Sequence, residues 1–137
     1  MRLYKSSEYA IRCLVAMAQG GEDLYSVKRL SDSLEIPYKF LGRLMSRLGT
    51  AGIVAAVQGK GGGYRIARPL ETIRLADVVE VVEGLDSYDR CILGFERCDE
   101  DNPCPMHEFW SGHKDGILDM MNTVTLAQMA AGESNKT

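Results

Sequence analysis

Between Ser26 and Ala67 the chain passes through a short amphipathic segment, a proline turn, a basic amphipathic segment and a glycine-tipped pair of apolar runs. Few folds accept that order. Ser26 is placed to cap a helix from Val27 to Leu34, where Val27, Leu30 and Leu34 share one face. Ile36-Pro37 makes the turn, and Pro37 suits the first turn of the next helix, which runs to about Thr50. Phe40, Leu41, Leu44 and Leu48 face inward there, while Lys39, Arg43 and Arg47 recur every four residues on the opposite face. Residues 53–57 then read as a strand, Gln58 to Gly63 as its turn, and Tyr64 to Ala67 as the return strand. The order predicts a winged helix-turn-helix, in a chain that is mainly α with a small β-hairpin.

Charge supports that reading once the chain is divided. The net charge of −3 over 137 residues hides two opposite halves. Residues 1–68 hold eleven Lys/Arg against five Asp/Glu, for a charge of +6, whereas residues 69–137 hold five against fourteen, for −9. A basic half attracts phosphate, and an acidic half needs another task. The N-terminal residues of the second helix enter the major groove in such folds. Tyr38, Lys39 and Arg43 are therefore expected at base edges or nearby phosphates, and Arg47, further along, at phosphate. The wing turn carries only Gln58 and Lys60 as large side chains, so Gly61 and Gly62 would let it approach a backbone or minor groove. A basic helical face taken alone is usually just solvated, and a glycine run is usually just a turn. Their occurrence in this order, in the basic half, favours double-stranded DNA.

Around this unit, Tyr4 to Gln19 reads as a helix with Ile11, Leu14, Val15 and Ala18 at helical spacing, capped by Ser6 or Ser7 and stopped by Gly20-Gly21. A further helix is expected from Ile73 to Gly84. A last long helix should begin near Pro105, with Trp110, Ile117, Met121 and Val124 as an apolar stripe. With no partner left in the chain, that stripe predicts pairing with a second copy. The organisation expected is a DNA-binding domain over 1–69, dimerisation helices over 70–131 with a ligand loop at 85–105, and a disordered tail over 132–137. No apolar run approaches the roughly 20 residues that span a bilayer. The start of the chain lacks a signal-peptide pattern, so the cytoplasm is the expected location.

Three of the four cysteines, Cys91, Cys98 and Cys104, crowd into that loop. Cysteine prefers burial, and so polar a loop has no reason to gather three without a purpose. Thiolates suit iron–sulfur clusters, zinc or copper(I). Structural zinc sites usually space paired ligands two to four residues apart, which gaps of six and five fit poorly, so zinc ranks below a cluster. A disulfide would leave one thiol over. Asp99, Glu100 and Asp101 are expected to raise the thiol pKa values and discourage a simple thiolate switch. A cluster normally needs a fourth ligand. His107 stands three residues after Cys104 on the expected first turn of the last helix, so both could address one metal. Cys13, alone in an apolar stretch, reads as core.

The chain resembles the IscR/NsrR-type (Rrf) family of bacterial winged-helix regulators. The matching elements are Met1-Arg2-Leu3 with Tyr9-Ala10-Ile11-Arg12, the helix core Phe40-Leu41 with Leu44-Met45-Ser46-Arg47-Leu48, and the wing Gly61-Gly62-Gly63-Tyr64. The three cysteines precede the last helix as in the family's cluster-binding branches. Cys104-Pro105-Met106-His107 is similar to the IscR branch, where the matching histidine completes a two-iron cluster. The resemblance thus places 2Fe–2S ahead of 4Fe–4S. It also offers Glu8, at the position where NsrR-like relatives supply a carboxylate from the partner subunit; read on its own, Glu8 is an acid favoured by the helix dipole. Two departures stand out: Gly42 falls where many relatives carry an acid, and the first cysteine gap is six where five is commoner.

The function expected is a homodimeric transcription regulator, a repressor, whose operator affinity follows an iron–sulfur cluster sensing iron, redox state or nitric oxide. A metal-free or zinc-containing winged-helix regulator, responding to a small molecule or thiol oxidation, is the alternative. A redox enzyme or electron carrier would leave the basic helix and wing unexplained, and nothing in the sequence reads as a substrate or flavin site.

Overall fold

The computed structural model describes residues 3–132. Helix α1 (Lys5–Gln19) starts after an extended Tyr4 and ends where the Gly20 N–H returns to Ala16 O. Neither expected serine caps it. Ser7 is buried and donates instead to Glu83 Oε2 at 2.6 Å, because a cap must precede the first turn and Ser7 lies inside it.

Helix α2 (Val27–Leu34) is capped as expected, with Ser26 Oγ accepting from the Arg29 N–H at 3.1 Å. Glu35 ends it in the left-handed region, φ 55, and turns the buried Ile36 into the core. Helix α3 (Tyr38–Thr50) follows from Pro37 and buries Leu41, Leu44, Met45 and Leu48. Phe40 is only half-buried, its ring edge-on to Tyr9. The hairpin joins β1 (Val54–Val57) to β2 (Gly63–Ile66), with Val54 opposite Ile66 and Val57 opposite Gly63. Tyr25 pairs with Tyr64 through both backbone bonds, 2.9 and 2.7 Å, which ties the wing to the segment before α2.

Helix α4 (Leu75–Val82) lies between two apolar clusters. Val78 and Val82 join Leu14, Leu41, Met45, Leu48, Ile53 and Val54 in the main core. Leu75, Ala76 and Val79 meet Met121 in a second cluster. Its sequence, LADVVEVV, is apolar around most of its circumference for this reason. Each fully buried side chain of this size contributes about 1.5–3 kcal/mol.

The last helix is shorter than expected. Helix α5 (His107–Thr123) stops at an extended Val124, and a separate helix α6 (Leu126–Ala131) begins under Thr125, whose Oγ1 accepts from the Gln128 N–H while Gln128 Oε1 accepts from the Thr125 N–H. The break returns the chain to the core. The Leu75 N–H donates to Val124 O and the Leu126 N–H to Ile73 O, Leu126 is fully buried, and Gln19 Nε2 donates to Ala130 O and Gly132 O. The apolar stripe of α5 is thus partly used within the chain, with Met121 fully buried and Ile117 packed beside it. The tail expected to be disordered lies, from residue 133 on, outside the described residues, as do Met1 and Arg2.

Candidate metal centre and nucleic-acid interface

After Gly84, at φ 88, the chain makes one 3-10 turn over Leu85–Tyr88 and then runs without regular structure to α5. Short polar bonds shape it. The Gly94 N–H closes a turn on Cys91 O at 2.9 Å. The N–H groups of Asp101 and Asn102 donate to Asp99 Oδ1, and Asn102 Nδ2 donates to Arg97 O. Helix α5 holds the loop from the other side. Trp110 Nε1 donates to Arg90 O at 3.2 Å and Lys114 Nζ lies 3.3 Å from Asp89 Oδ1, so the two residues before Cys91 are both fastened to one helix.

These bonds bring the Sγ atoms of Cys91, Cys98 and Cys104 within 4.8 Å of one another. Cys91 and Cys104 are 3.5 Å apart, and Cys98 Sγ lies 3.4 Å from His107 Nδ1. His107 sits at the start of α5, where its N–H donates to Cys104 O at 3.0 Å. Three soft donors and an imidazole therefore converge from two neighbouring elements, a set that fits a thiolate-held metal or cluster.

The thiols differ. Burial works against the Cys91 thiolate, but the backbone N–H groups of Phe95 and Leu93 and the adjacent thiols outweigh it and lower its pKa to about 7. For Cys98 the Cys104 backbone N–H favours the thiolate, yet burial and the two neighbouring thiols prevail, and its pKa is raised. The expectation that the flanking acids govern these thiols is corrected here: backbone donors and the thiols themselves do so, and for Cys91 the direction is reversed. Cys13 lies elsewhere, fully buried against Met45 Sδ at 3.8 Å, with burial pushing its thiol up to about 12.

Glu8 does not join the three cysteines of this chain. It sits on the first turn of α1, nearly buried, 3.8 Å from Lys5 Nζ.

In the basic half of the chain, Tyr38, Lys39 and Arg43 are exposed on the N-terminal half of α3, Tyr38 by 58%. Gln58, Lys60 and Gly61 are exposed at the wing tip, with Gly62 half-buried beneath. Gly62 has a cause inside the fold: a Cβ there would collide with Val57 O, and one at Gly63 would come within 2.7 Å of Tyr25 O. The close turn and the Tyr25–Tyr64 pairing already demand these glycines. Arg47, expected at phosphate, has its Nη1 3.1 Å from Val82 O. Its role, the anchoring of the loop by Trp110 and Lys114, and the Ser7–Glu83 bond were missed from sequence. Only Trp110 left a signal, since an indole N–H near an interior seeks an acceptor.

The profile of the Rrf2 family, described as an iron-dependent transcriptional regulator, matches residues 3–132. The chain belongs to the Rrf2 family. Its similarity to the HTH-type transcriptional regulator IscR of Yersinia pseudotuberculosis is 31% identity over 130 residues, covering 94% of this chain and 79% of that one. Among solved structures it superposes on CymR, the global cysteine regulator of B. subtilis, with a TM-score of 0.79 at 23% identity, covering 98% and 99% of the two chains. T. potens IscR gives 0.75 at 24% identity, covering 100% and 93%. The winged-helix fold of this Rrf2 chain is therefore shared with regulators named for cysteine control and with IscR. Rrf2 proteins are transcription regulators, and α3 with its hairpin forms the winged-helix part of this one. No described helix is long and apolar enough to cross a membrane.

Proposed function

We propose that this Rrf2 chain is a cytoplasmic, homodimeric repressor whose operator affinity is set by an iron–sulfur cluster on Cys91, Cys98 and Cys104. The observation that carries the reading is the convergence of three Sγ atoms within 4.8 Å, with His107 Nδ1 3.4 Å from one of them. That closeness favours His107 as fourth ligand, and a 2Fe–2S cluster, over Glu8 of the partner subunit. Bound there, a cluster supplies a group that iron shortage, oxidation or nitric oxide can remove or alter. The protein's part is to hold the loop in one shape while the four donors are engaged, and to release it when they are not.

A second copy fits the outer face of α5. Phe109 and Met120 are 68% and 42% exposed, and Gly112 and Gly116 lie between them on the same face with nothing within 4 Å of an added Cβ. An apolar face with room for close approach suits a helix–helix contact. The DNA contacts proposed are Tyr38, Lys39 and Arg43 on α3 with Gln58, Lys60, Gly61 and Gly62 on the wing. Two copies would place two α3 helices at half-sites about one turn apart.

One observation favours the alternative of a thiol-oxidation regulator: Cys91 and Cys104 are 3.5 Å apart and need no metal to form a disulfide. Anaerobic reconstitution with iron and sulfide, followed by metal and acid-labile sulfide analysis and gel shifts of holo- and apo-protein, separates the two. A red-brown protein whose operator affinity differs from the apo form is expected. Equal affinities would sink the cluster switch, and a colourless zinc protein, or one that responds only to peroxide, would establish the alternative.

A further inference from the structure

Arg47 is basic, exposed and on the recognition helix, and on those grounds it belongs with Arg43 against DNA. The structure gives it different company. Val82, whose carbonyl receives its Nη1, is the last residue of α4, and carbonyls at a helix C-terminus lack intrahelical partners. Helix α4 has no basic side chain in its own last turn, so the Arg47 guanidinium both pairs the carbonyl and complements the negative end of the helix.

The same turn holds two more connections. Glu83 accepts from Ser7 of α1 at 2.6 Å, and the Leu85 N–H donates to Glu80 Oε2 at 2.8 Å as the chain leaves through Gly84. Residues 82–85 thus join the recognition helix, α1 and the root of the cysteine loop. Arg47 lies on the last turns of α3, about 13 Å along the axis from Tyr38. A tilt of about 5° at Arg47 moves the DNA-reading end by about 1 Å, enough to spoil a hydrogen bond.

We propose that Arg47 is a positioning residue: through Val82 it fixes the recognition helix to the turn from which the cysteine loop departs, and the ordered or released state of that loop reaches the DNA through this contact. The inference rests on the reading that the cysteine site controls operator affinity, and it names the route.

Operator binding of the full chain, with and without the reconstituted cluster and across a salt series, tests it. Arg43→Gln, which removes a cation facing phosphate directly, weakens both states alike and reduces the slope of log affinity against log salt by about one. Arg47→Gln is expected to leave the slope as in the wild type and to cut the ratio of holo to apo affinity about tenfold, the worth of a hydrogen bond to a charged group. Arg47→Lys, which keeps a cationic donor on a long stem, should restore most of the ratio. Arg47→Met keeps the packed stem and replaces the Gln variant if that one unfolds.

A slope lowered by one with the ratio preserved, or no change in either, overturns the proposal. If wild-type holo- and apo-protein bind equally, the cluster reading fails instead. The contact is then still tested in apo-protein, where Arg47→Gln should speed amide exchange across residues 83–88 and unchanged exchange would refute it.

Discussion

The two ends of this molecule are held in different ways. The DNA-binding unit is fixed by burial: Leu14, Leu41, Met45, Leu48, Ile53 and Val54 are all at or near zero exposure, and the basic face of α3 rides on that core. The cysteine loop has no apolar core of its own. Ile92, Leu93 and Phe95, between its first two cysteines, are about half exposed, and its shape depends on a few polar bonds to α5 and on its own Asx turn. A buried core keeps one shape in every condition, whereas a loop held by polar bonds is free to respond to what binds it. The winged-helix core and the cysteine loop differ in what stabilises them.

Substitutions at the two ends should separate cleanly. The largest effect is expected from Cys104→Ala, which removes one donor and should abolish metal retention outright, read as loss of visible absorption and iron, while far-ultraviolet circular dichroism and thermal unfolding of the apo form stay unchanged. A fall in apo stability would mean that the loop and the reader are not independently held. Leu48→Ala should do the opposite, costing about 2–5 kcal/mol in denaturant unfolding with the metal still bound by whatever remains folded. Trp110→Phe sharpens the contrast at smaller scale. It keeps a ring against the loop but takes the donor from Arg90 O, and metal affinity measured by chelator competition should drop about tenfold with little change in unfolding. The last effect is confined to alkaline pH and concerns Cys13. Its thiol titrates near 12 when folded against about 9 when unfolded, so its stabilising contribution is full below pH 9 and declines as pH rises toward 12. Cys13→Ala should flatten part of the alkaline loss of stability, and identical alkaline profiles would disprove that share.

What sequence could and could not reveal follows the same division. Helices α2 and α3, the Ser26 cap and the hairpin were legible because each is written in local signals: a 3.6-residue period, a capping hydroxyl, a proline turn, glycines at a tip. The three cysteines were legible as a set because ligand chemistry restricts residue type. The end of α5 was misjudged although its signal was present, since Thr125 and Gln128 form a capping box inside an otherwise continuous apolar stripe. The partners of Arg47 and Ser7 were beyond reach. Val82 O is a backbone carbonyl 35 residues away, and Glu83 is one carboxylate among many, distinguished only by where α4 ends. The Cys91 thiol was misread for a related reason: the acids beside Cys98 are visible in the chain, and the backbone N–H groups that dominate are not.

For the repressor proposed above, the pairing of Tyr25 with Tyr64 would reach beyond the protein into the spelling of its operators. Because the wing is stitched to the strand-like segment before α2, and α2 packs directly on α3, each protomer of the dimer proposed above would meet its half-site as a single stamp. The distance between the bases read in one groove and the stretch brushed by the wing is then a constant of the fold. Insertions inside a half-site should be intolerable, and variation among operators should collect in the bases between half-sites, where only the joint between two copies sets the spacing.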